Sequence, residues 1–267
     1  MIVAETVDVL ADALATLSEE SEPLGLRVSW VKTKIQKFGD LPGEAIGSSI
    51  PVKDENVEAV DSFTYLGSVV YSSASCEADI DRRLCLAHGA MNSLKKTVWR
   101  SRYLSMGTKV RVFRSLVLPV LLYGCEAWTL SVGLNNRLDV FQTSSLRRIF
   151  GLRWSDFVSN AALLRRSGMR TVSCMIRQRR LRTYGHLARF SEDDPAHQIL
   201  KARDPAGWVR PVGGVKDTWL RQLKDKDLDG GMGPAQAWTV ARKKPQQWGR
   251  RVSAAKCRGG ACPHDLT

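Results

Sequence analysis

The strongest structural signal in the sequence is a run of apolar residues at helical spacing between positions 80 and 98. They recur at intervals of 4, 3, 4, 3 and 4, namely Ile80, Leu84, Ala87, Met91, Leu94 and Val98. Residues at this spacing form one stripe along an amphipathic α-helix. Ser75, just upstream, is suited to cap its first turn. A stripe this long predicts a helix that packs against other helices.

Three more helices are expected downstream. One covers residues 105–123 and is apolar nearly all round, which is typical of a central helix. Another stops at Gly151, and its apolar positions are Leu134, Leu138, Phe141 and Ile149. The last begins near Ser173 and ends near Phe190. Because the connecting segments are short, neighbouring helices should pack as a bundle.

The first seventy residues combine helix and strand. Helical spacing of apolar residues predicts a helix over 5–23, ended by Gly25. Alternation around Val28 and Trp30 predicts a strand over 27–38, and the aromatic and β-branched segment 63–71 predicts another. A loop rich in Gly, Pro and Ser separates them at 39–51. This part of the chain is therefore mixed.

The fold class that follows is α+β. A small mixed unit is expected over 1–72 and a mainly helical bundle over 73–190. Prolines and glycines over 191–215 indicate a linker. Residues 216–267 then form a loosely attached helical tail, with short helices near 217–228, 234–242 and 246–256.

The charge of the chain favours a polyanionic partner. Lys and Arg number 40 against 27 acids, for a formal net charge of +13. Nucleic acid, as RNA or an RNA–DNA hybrid, is the simplest such partner, and an anionic membrane surface is the rival. Nothing in the composition indicates a small-molecule substrate.

Most of this excess charge lies between Phe141 and Phe190, which hold eleven arginines and one acid, Asp156. Arginine binds phosphate through a planar fork and can also stack on bases. The candidate nucleic-acid-binding residues of this segment are Arg147, Arg148, Arg165, Arg166, Arg179, Arg182, His186 and Arg189. The alternative is that these side chains form only a solvated surface.

The helix that begins near Ser173 is only partly amphipathic. Arg179, Arg182, His186 and Arg189 fall within one stripe, and the opposite side carries Ile176, Leu181, Tyr184 and Leu187. Arg177 and Arg180 lean toward the apolar side. Such a helix can pack on a bundle and offer a basic ridge to a phosphate backbone.

Targeting and metal signals are weak. The N-terminus lacks the pattern of a signal peptide, and the longest apolar run, 116–125, is far shorter than the roughly 20 residues that span a bilayer. An intracellular protein, nuclear or cytoplasmic, with free cysteines is therefore expected. The spacing of Cys257, Cys262 and His264 fits no usual zinc pattern, so no metal site is predicted.

Four blocks of sequence occur in the order FTYLGSVVYSSASCEADIDRRLCLAHGAMNSL, LVLPVLLYGCEAWTL, LDVFQTSSLRRIFGLRW and RQRRLRTYGHLARF. Together they resemble the reverse transcriptases of non-LTR, LINE-type retrotransposons. The resemblance extends over nearly the whole chain and implies the end of the palm, the thumb and the region beyond it. The turn RPVGGVKDTW departs from the basic Gly-Arg-Pro pattern of the family, so no contact is assigned to that turn.

The resemblance also implies roles for residues of the first unit. Lys32 and Lys34 are placed near the incoming nucleotide and the template-primer. Phe63, Tyr65 and Gly67 are placed on a primer-grip hairpin. The helices from 76 to 190 are implied to hold the template-primer or the element RNA.

Polymerase chemistry in this family requires divalent metals, normally Mg²⁺, held by three aspartates. The Ala-Asp-Asp turn that supplies two of them has no counterpart here, so no catalytic residue is assigned and the chain is expected to be inactive. Mg²⁺ is expected only in a complete family member. Two alternatives stay open: a truncated version of a complete RNA-directed DNA polymerase, and a degenerate remnant without specific function.

Overall fold

The computed structural model describes residues 1–38, 49–53, 55–73, 75–201, 218–228 and 232–254. These residues form two compact units, Met1–Asp79 and Ile80–Thr267. Among the described residues, the first unit contains one complete α-helix, a short 3₁₀ helix (Glu22–Leu24) and five short strands, and the second is helical. The α+β class expected from the sequence is confirmed.

The first unit is built on helix α1 and a three-stranded sheet. α1 (Val7–Ser21) begins at Thr6, whose hydroxyl accepts a hydrogen bond from the Val9 amide at 3.3 Å. The sheet has the order β1 (Lys34–Ile35), β3 (Glu55–Ala59), β2 (Ser49–Val52). β1 runs parallel to β3, and β2 runs antiparallel to it. The buried core of this unit consists of Leu14, Ile35, Ile50, Val52 and Val57.

The strand predicted over 27–38 is wrong for most of its length. Only Lys34–Ile35 pairs as strand. The Thr33 amide and hydroxyl both donate to the Ser29 carbonyl, each at 2.9 Å, so the chain turns here and local bonds replace strand pairing. Of the loop predicted over 39–51, residues 39–48 lie outside the described structure and Ser49–Val52 is strand β2.

The segment 63–71 forms a β-hairpin rather than one strand. β4 (Ser62–Tyr65) pairs antiparallel with β5 (Ser68–Tyr71) through a two-residue turn. Both turn residues are left-handed, with φ 47° at Leu66 and 84° at Gly67. That combination matches the right-handed twist of the two strands.

The helical unit confirms the predicted apolar stripe. Helix α2 (Glu77–Ser93) begins after Ser75, whose hydroxyl accepts from the Glu77 amide at 3.3 Å. Ile80, Ala87 and Met91 are fully buried. A π-helical turn continues the chain to Trp99, whose indole donates to the Met91 carbonyl at 2.7 Å.

The predicted helix over 105–123 occurs in three joined pieces. They are α3 (Met106–Val112), a π-helical turn (Phe113–Val117) and α4 (Leu118–Leu121). Ser105 caps the first piece, with its hydroxyl accepting from the Thr108 amide at 3.1 Å. Phe113, Val117 and Leu121 are fully buried, which confirms a central position in the unit.

Three capped helices follow: α5 (Val132–Phe150), α6 (Asn160–Ser167) and α7 (Val172–Leu187). α5 ends at Gly151, with φ 68°, as predicted. The sequence did not indicate α6, which has only eight residues.

The last part of the chain packs on α7. Residues 191–215, predicted as a linker, include helix α8 (Pro195–Lys201); residues 202–217 lie outside the described structure. α9 (Trp219–Gln222), α10 (Pro234–Lys243) and α11 (Pro245–Ala254) agree with the predicted tail helices. Their apolar residues share a buried cluster with Leu181 and Tyr184 of α7, so this tail is attached more closely than its sequence indicated.

Candidate nucleic-acid interface

Two arginines of α7 are buried and hold the tail. Arg177 and Arg180 are only 6% and 4% exposed. Arg180 Nε lies 2.7 Å from the Asp227 carboxylate, and Arg177 donates to the Asp227 carbonyl from Nε and Nη2 at 3.2 and 2.6 Å. These two cations are therefore structural, in agreement with their position toward the apolar side of the helix.

Gln222 of α9 completes this buried network. Its amide donates to the Leu130 carbonyl at 2.6 Å and accepts from the Leu130 amide at 2.9 Å. Arg180 Nη1 donates to the same Gln222 side chain at 2.6 Å and to the Trp128 carbonyl at 3.1 Å. The side chains of Arg180 and Gln222 are thus stabilised by hydrogen bonds to partners from distant segments.

The candidate basic ridge of α7 divides into two pairs. Arg179 is half-buried and donates to the Leu122 carbonyl at 2.6 Å. Arg189 is exposed and donates to the Ala241 carbonyl at 3.3 Å. Arg182 and His186 are exposed, and the His186 ring packs edge-on against Phe190 at 4.7 Å. Arg182, His186 and Arg189 are thus the exposed part of the ridge, and Arg179 is not.

Exposed arginines also lie at the end of α5 and on α6. Arg148 donates to the side chain of Asn92 at 3.0 Å. Arg147 is half-buried and binds the Val158 carbonyl at 2.7 Å, which fixes the α5–α6 loop. Arg165 is exposed, and the guanidinium of Arg166 lies 4.7 Å above the ring of Phe150.

A second basic segment was missed by the sequence argument. Residues 95–114 hold seven lysines and arginines and no acid, and most of these side chains are exposed. Lys109 is the buried exception, and it donates to the Trp99 carbonyl at 3.0 Å. Tyr103 is 99% exposed within the same stretch. A count of charge over every window, rather than over 141–190 alone, would have identified it.

The remaining candidate residues lie in the first unit. Lys32 is exposed, whereas Lys34 forms an ion pair with Glu58. Phe63 and Tyr65 are two residues apart on β4 and therefore share one face of the hairpin, where they are 37% and 40% exposed. Gly67 forms the second turn position. The hairpin thus exposes two aromatic rings beside a tight turn.

Comparison with known proteins gives one informative match. The chain is 26% identical over 260 residues to a Caenorhabditis elegans protein, F52C9.6, whose name describes it as transposon-derived. The match covers 93% of this chain and 90% of that protein. No family model and no solved structure matches. The similarity supports a transposable-element origin.

Burial governs the titration of three side chains in the helical unit. It raises the pKa of the Cys125 thiol to about 12, in spite of the nearby Arg179 cation. It also raises the pKa of Tyr184 to about 12. Burial raises the pKa of Asp139 as well, although the Ser173 amide and hydroxyl donate to its carboxylate at 3.0 and 2.7 Å. These groups belong to α5, to α7 and to the short 3₁₀ helix Cys125–Ala127 that follows α4.

In the part of the chain that the structure describes, no three His, Cys, Asp or Glu side chains lie close enough together to bind a metal ion. Cys257, Cys262 and His264 lie outside the described residues. Within the same ranges, no helix has the length and apolar character needed to cross a bilayer.

Proposed function

We propose that this chain is the nucleic-acid-binding C-terminal region of a retrotransposon reverse transcriptase, and that it binds RNA or an RNA–DNA hybrid without polymerising. The observation that carries the proposal is the set of exposed arginines on the helical unit. They come from α5, the α5–α6 loop, α6, α7 and the turn after α7, and they are Arg148, Arg153, Arg165, Arg166, Arg182 and Arg189. The transposon-derived relative agrees with it.

Physical chemistry favours a phosphate backbone as the partner of this surface. Side-chain arginines neutralise phosphates and release condensed counterions, which gives affinity without sequence preference. Exposed aromatic rings can add base stacking, and Phe63, Tyr65 and Tyr103 offer such rings.

The test is a binding titration with a labelled RNA–DNA primer-template at 50 and 200 mM salt. The test variant changes Arg153, Arg165 and Arg182 to Gln, because all three side chains are exposed. The control variant changes Lys243, Lys244 and Arg250 to Gln, which removes the same charge from α10, α11 and the residue between them.

If about six phosphates are neutralised, the parent affinity should fall roughly a thousandfold between the two salt concentrations. The test variant should show a salt slope shallower by about 2, and the control variant should keep the parent slope. Equal slopes in all three proteins would contradict the proposed surface. A parent that does not bind at 50 mM salt would contradict the function itself.

A further inference from the structure

A cleft in the helical unit carries three guanidinium groups. Arg111 and Arg114 line it from α3 and the π-helical turn that follows, and Arg166 lines it from the last turn of α6. Val110 and Phe150 supply apolar lining, and the cavity measures about 360 Å³. We propose that this arginine cleft holds a backbone phosphate of the bound nucleic-acid strand.

Two of the three guanidinium groups are fixed by contacts to protein. Arg114 Nη2 donates to the Gly168 carbonyl at 3.2 Å, immediately beyond the end of α6. Arg166 lies over the face of Phe150, 4.7 Å from the ring centroid. A guanidinium has five N–H donors, so a bond to one carbonyl or a stacked ring leaves donor capacity for a ligand. Fixed side chains also lose less conformational entropy on binding.

The charge of the cleft favours an anion. Arg111 and Arg114 are three residues apart on one helical face, and Arg166 faces them from another helix. Among the residues that line it, none is acidic. Three like charges around one small volume repel each other, and a phosphate would remove that repulsion through paired N–H···O bonds.

The volume and the apolar lining indicate a phosphate that is part of a larger molecule. A cavity of about 360 Å³ exceeds the size of one phosphate and lies at the low end of the range for ligand sites. Val110 and Phe150 offer an apolar surface beside the cations, suited to a sugar or a base edge. Arg111 and Arg114 also belong to the basic segment 95–114, whose exposed Lys95, Lys96, Arg100 and Arg102 can extend the contact along a strand.

This inference rests on the proposed function, and the experiment separates the two. Anisotropy titrations with a labelled single-stranded RNA compare the parent with Arg111→Gln/Arg114→Gln and with Arg166→Gln, which alters the cleft from the opposite helix. Lys243→Gln/Lys244→Gln is the control of equal charge for the double variant. Thermal unfolding of each variant confirms the fold, and Arg111→Gln alone removes a side chain without altering the Gly168 bond.

The double variant should bind about tenfold more weakly at 50 mM salt, with a salt slope shallower by about 1. Arg166→Gln should act in the same direction, Arg111→Lys/Arg114→Lys should restore the slope, and the lysine control should match the parent. A double variant equal to the control would overturn the cleft while leaving nucleic-acid binding intact. A parent that does not bind RNA would overturn both.

A competition experiment with pyrophosphate distinguishes a cleft that binds a phosphate of the RNA strand from a cleft that binds a free phosphate ion. Pyrophosphate at matched ionic strength should not displace the RNA, because the strand gains contacts beyond the cleft. If the double variant loses pyrophosphate binding but binds RNA as the parent does, the cleft is a site for a small free anion and the assignment to the strand is overturned.

Discussion

Asp227 supplies the carboxylate that lies against the two buried arginines of α7. Its side chain is 5% exposed, and those of Arg177 and Arg180 are 7% and 5% exposed. Removing one partner of a buried ion pair leaves the other charge without compensation. We expect Asp227→Ala to lower the free energy of unfolding by about 3 to 5 kcal/mol, measured by urea denaturation. Asp193→Ala, at an exposed carboxylate, is the control and should change stability by less than about 0.5 kcal/mol.

Cys125 should be chemically silent in the folded protein. Its thiol is fully buried and its pKa is raised to about 12, so the reactive thiolate is scarce at pH 8. We expect iodoacetamide to label exposed Cys85 in the native protein and to label Cys125 only after unfolding. Site-resolved mass spectrometry checks this, and native labelling of Cys125 at the rate of Cys85 would show that the burial is wrong.

Among the elements, α7 and α11 approach each other at Gly185. A methyl group added at Gly185 would lie 2.1 Å from the indole nitrogen of Trp248. The same indole donates to the Leu181 carbonyl at 3.1 Å, so a displaced ring loses a hydrogen bond as well. We expect Gly185→Ala to lower the melting temperature and to shift tryptophan emission to the red, at a cost of about 1 to 3 kcal/mol.

Gly249→Ala is the matched control on α11 itself. A methyl group there meets nothing within 4 Å. Because alanine favours helix over glycine by up to about 1 kcal/mol, this variant should be equal to the parent or more stable. If both alanine variants behaved alike, the close contact of the two helices would be refuted.

The turn of the β4–β5 hairpin contains Leu66 at a position where positive φ disfavours leucine. Leu66 has φ 47° and is 75% exposed, whereas asparagine adopts this conformation at low cost. We expect Leu66→Asn to stabilise the hairpin by about 1 kcal/mol, seen as slower amide exchange at Val70, which pairs with Phe63 of β4. Leu66→Val is the opposing variant and should destabilise it, since a β-branched residue is strained at positive φ.

At the scale of the whole molecule, the helical unit depends on its tail. A chain ended at residue 190 would lack Asp227 and Gln222 and would uncover Leu181 and Tyr184. We expect it to unfold without a cooperative transition and to bind a dye for exposed apolar surface. A chain ended at residue 254 keeps every described element and should unfold as the parent does. Cooperative unfolding of the shorter chain would contradict the shared core.

The sequence predicted those parts of the fold that depend on apolar spacing within one helix or on a single capping residue. The stripe from Ile80 to Val98 specified its helix because a period of 3.6 residues leaves no other solution over five turns. Gly151 ended α5 because glycine adopts positive φ without strain. The short alternation around Trp30 was misleading, since four residues fit a turn as well as a strand.

Long-range pairing explains why the sequence could not complete the candidate interface. The sequence pattern placed Arg177 and Arg180 toward the apolar side of α7. It could not show their partner, Asp227, because that residue lies about fifty residues further along the chain. Whether an arginine faces solvent, as Arg182 does, or a distant carbonyl, as Arg179 does, depends on such pairing. The cleft of Arg111, Arg114 and Arg166 joins two segments whose spacing carries no shared motif.

The bridge between Gln222 and Leu130 spans 92 residues and has a consequence during biosynthesis. At about 5 to 20 residues per second, a ribosome needs roughly 5 to 20 s to add that length of chain. Helix α7 is complete at Leu187, 40 residues before Asp227, so for roughly 2 to 8 s of this interval it exposes Leu181 and Tyr184 and two uncompensated cations. Because α9 follows α7 in the chain, the growing polypeptide passes through a period in which it depends on chaperones. Slow codons between α7 and α9 would lengthen that period.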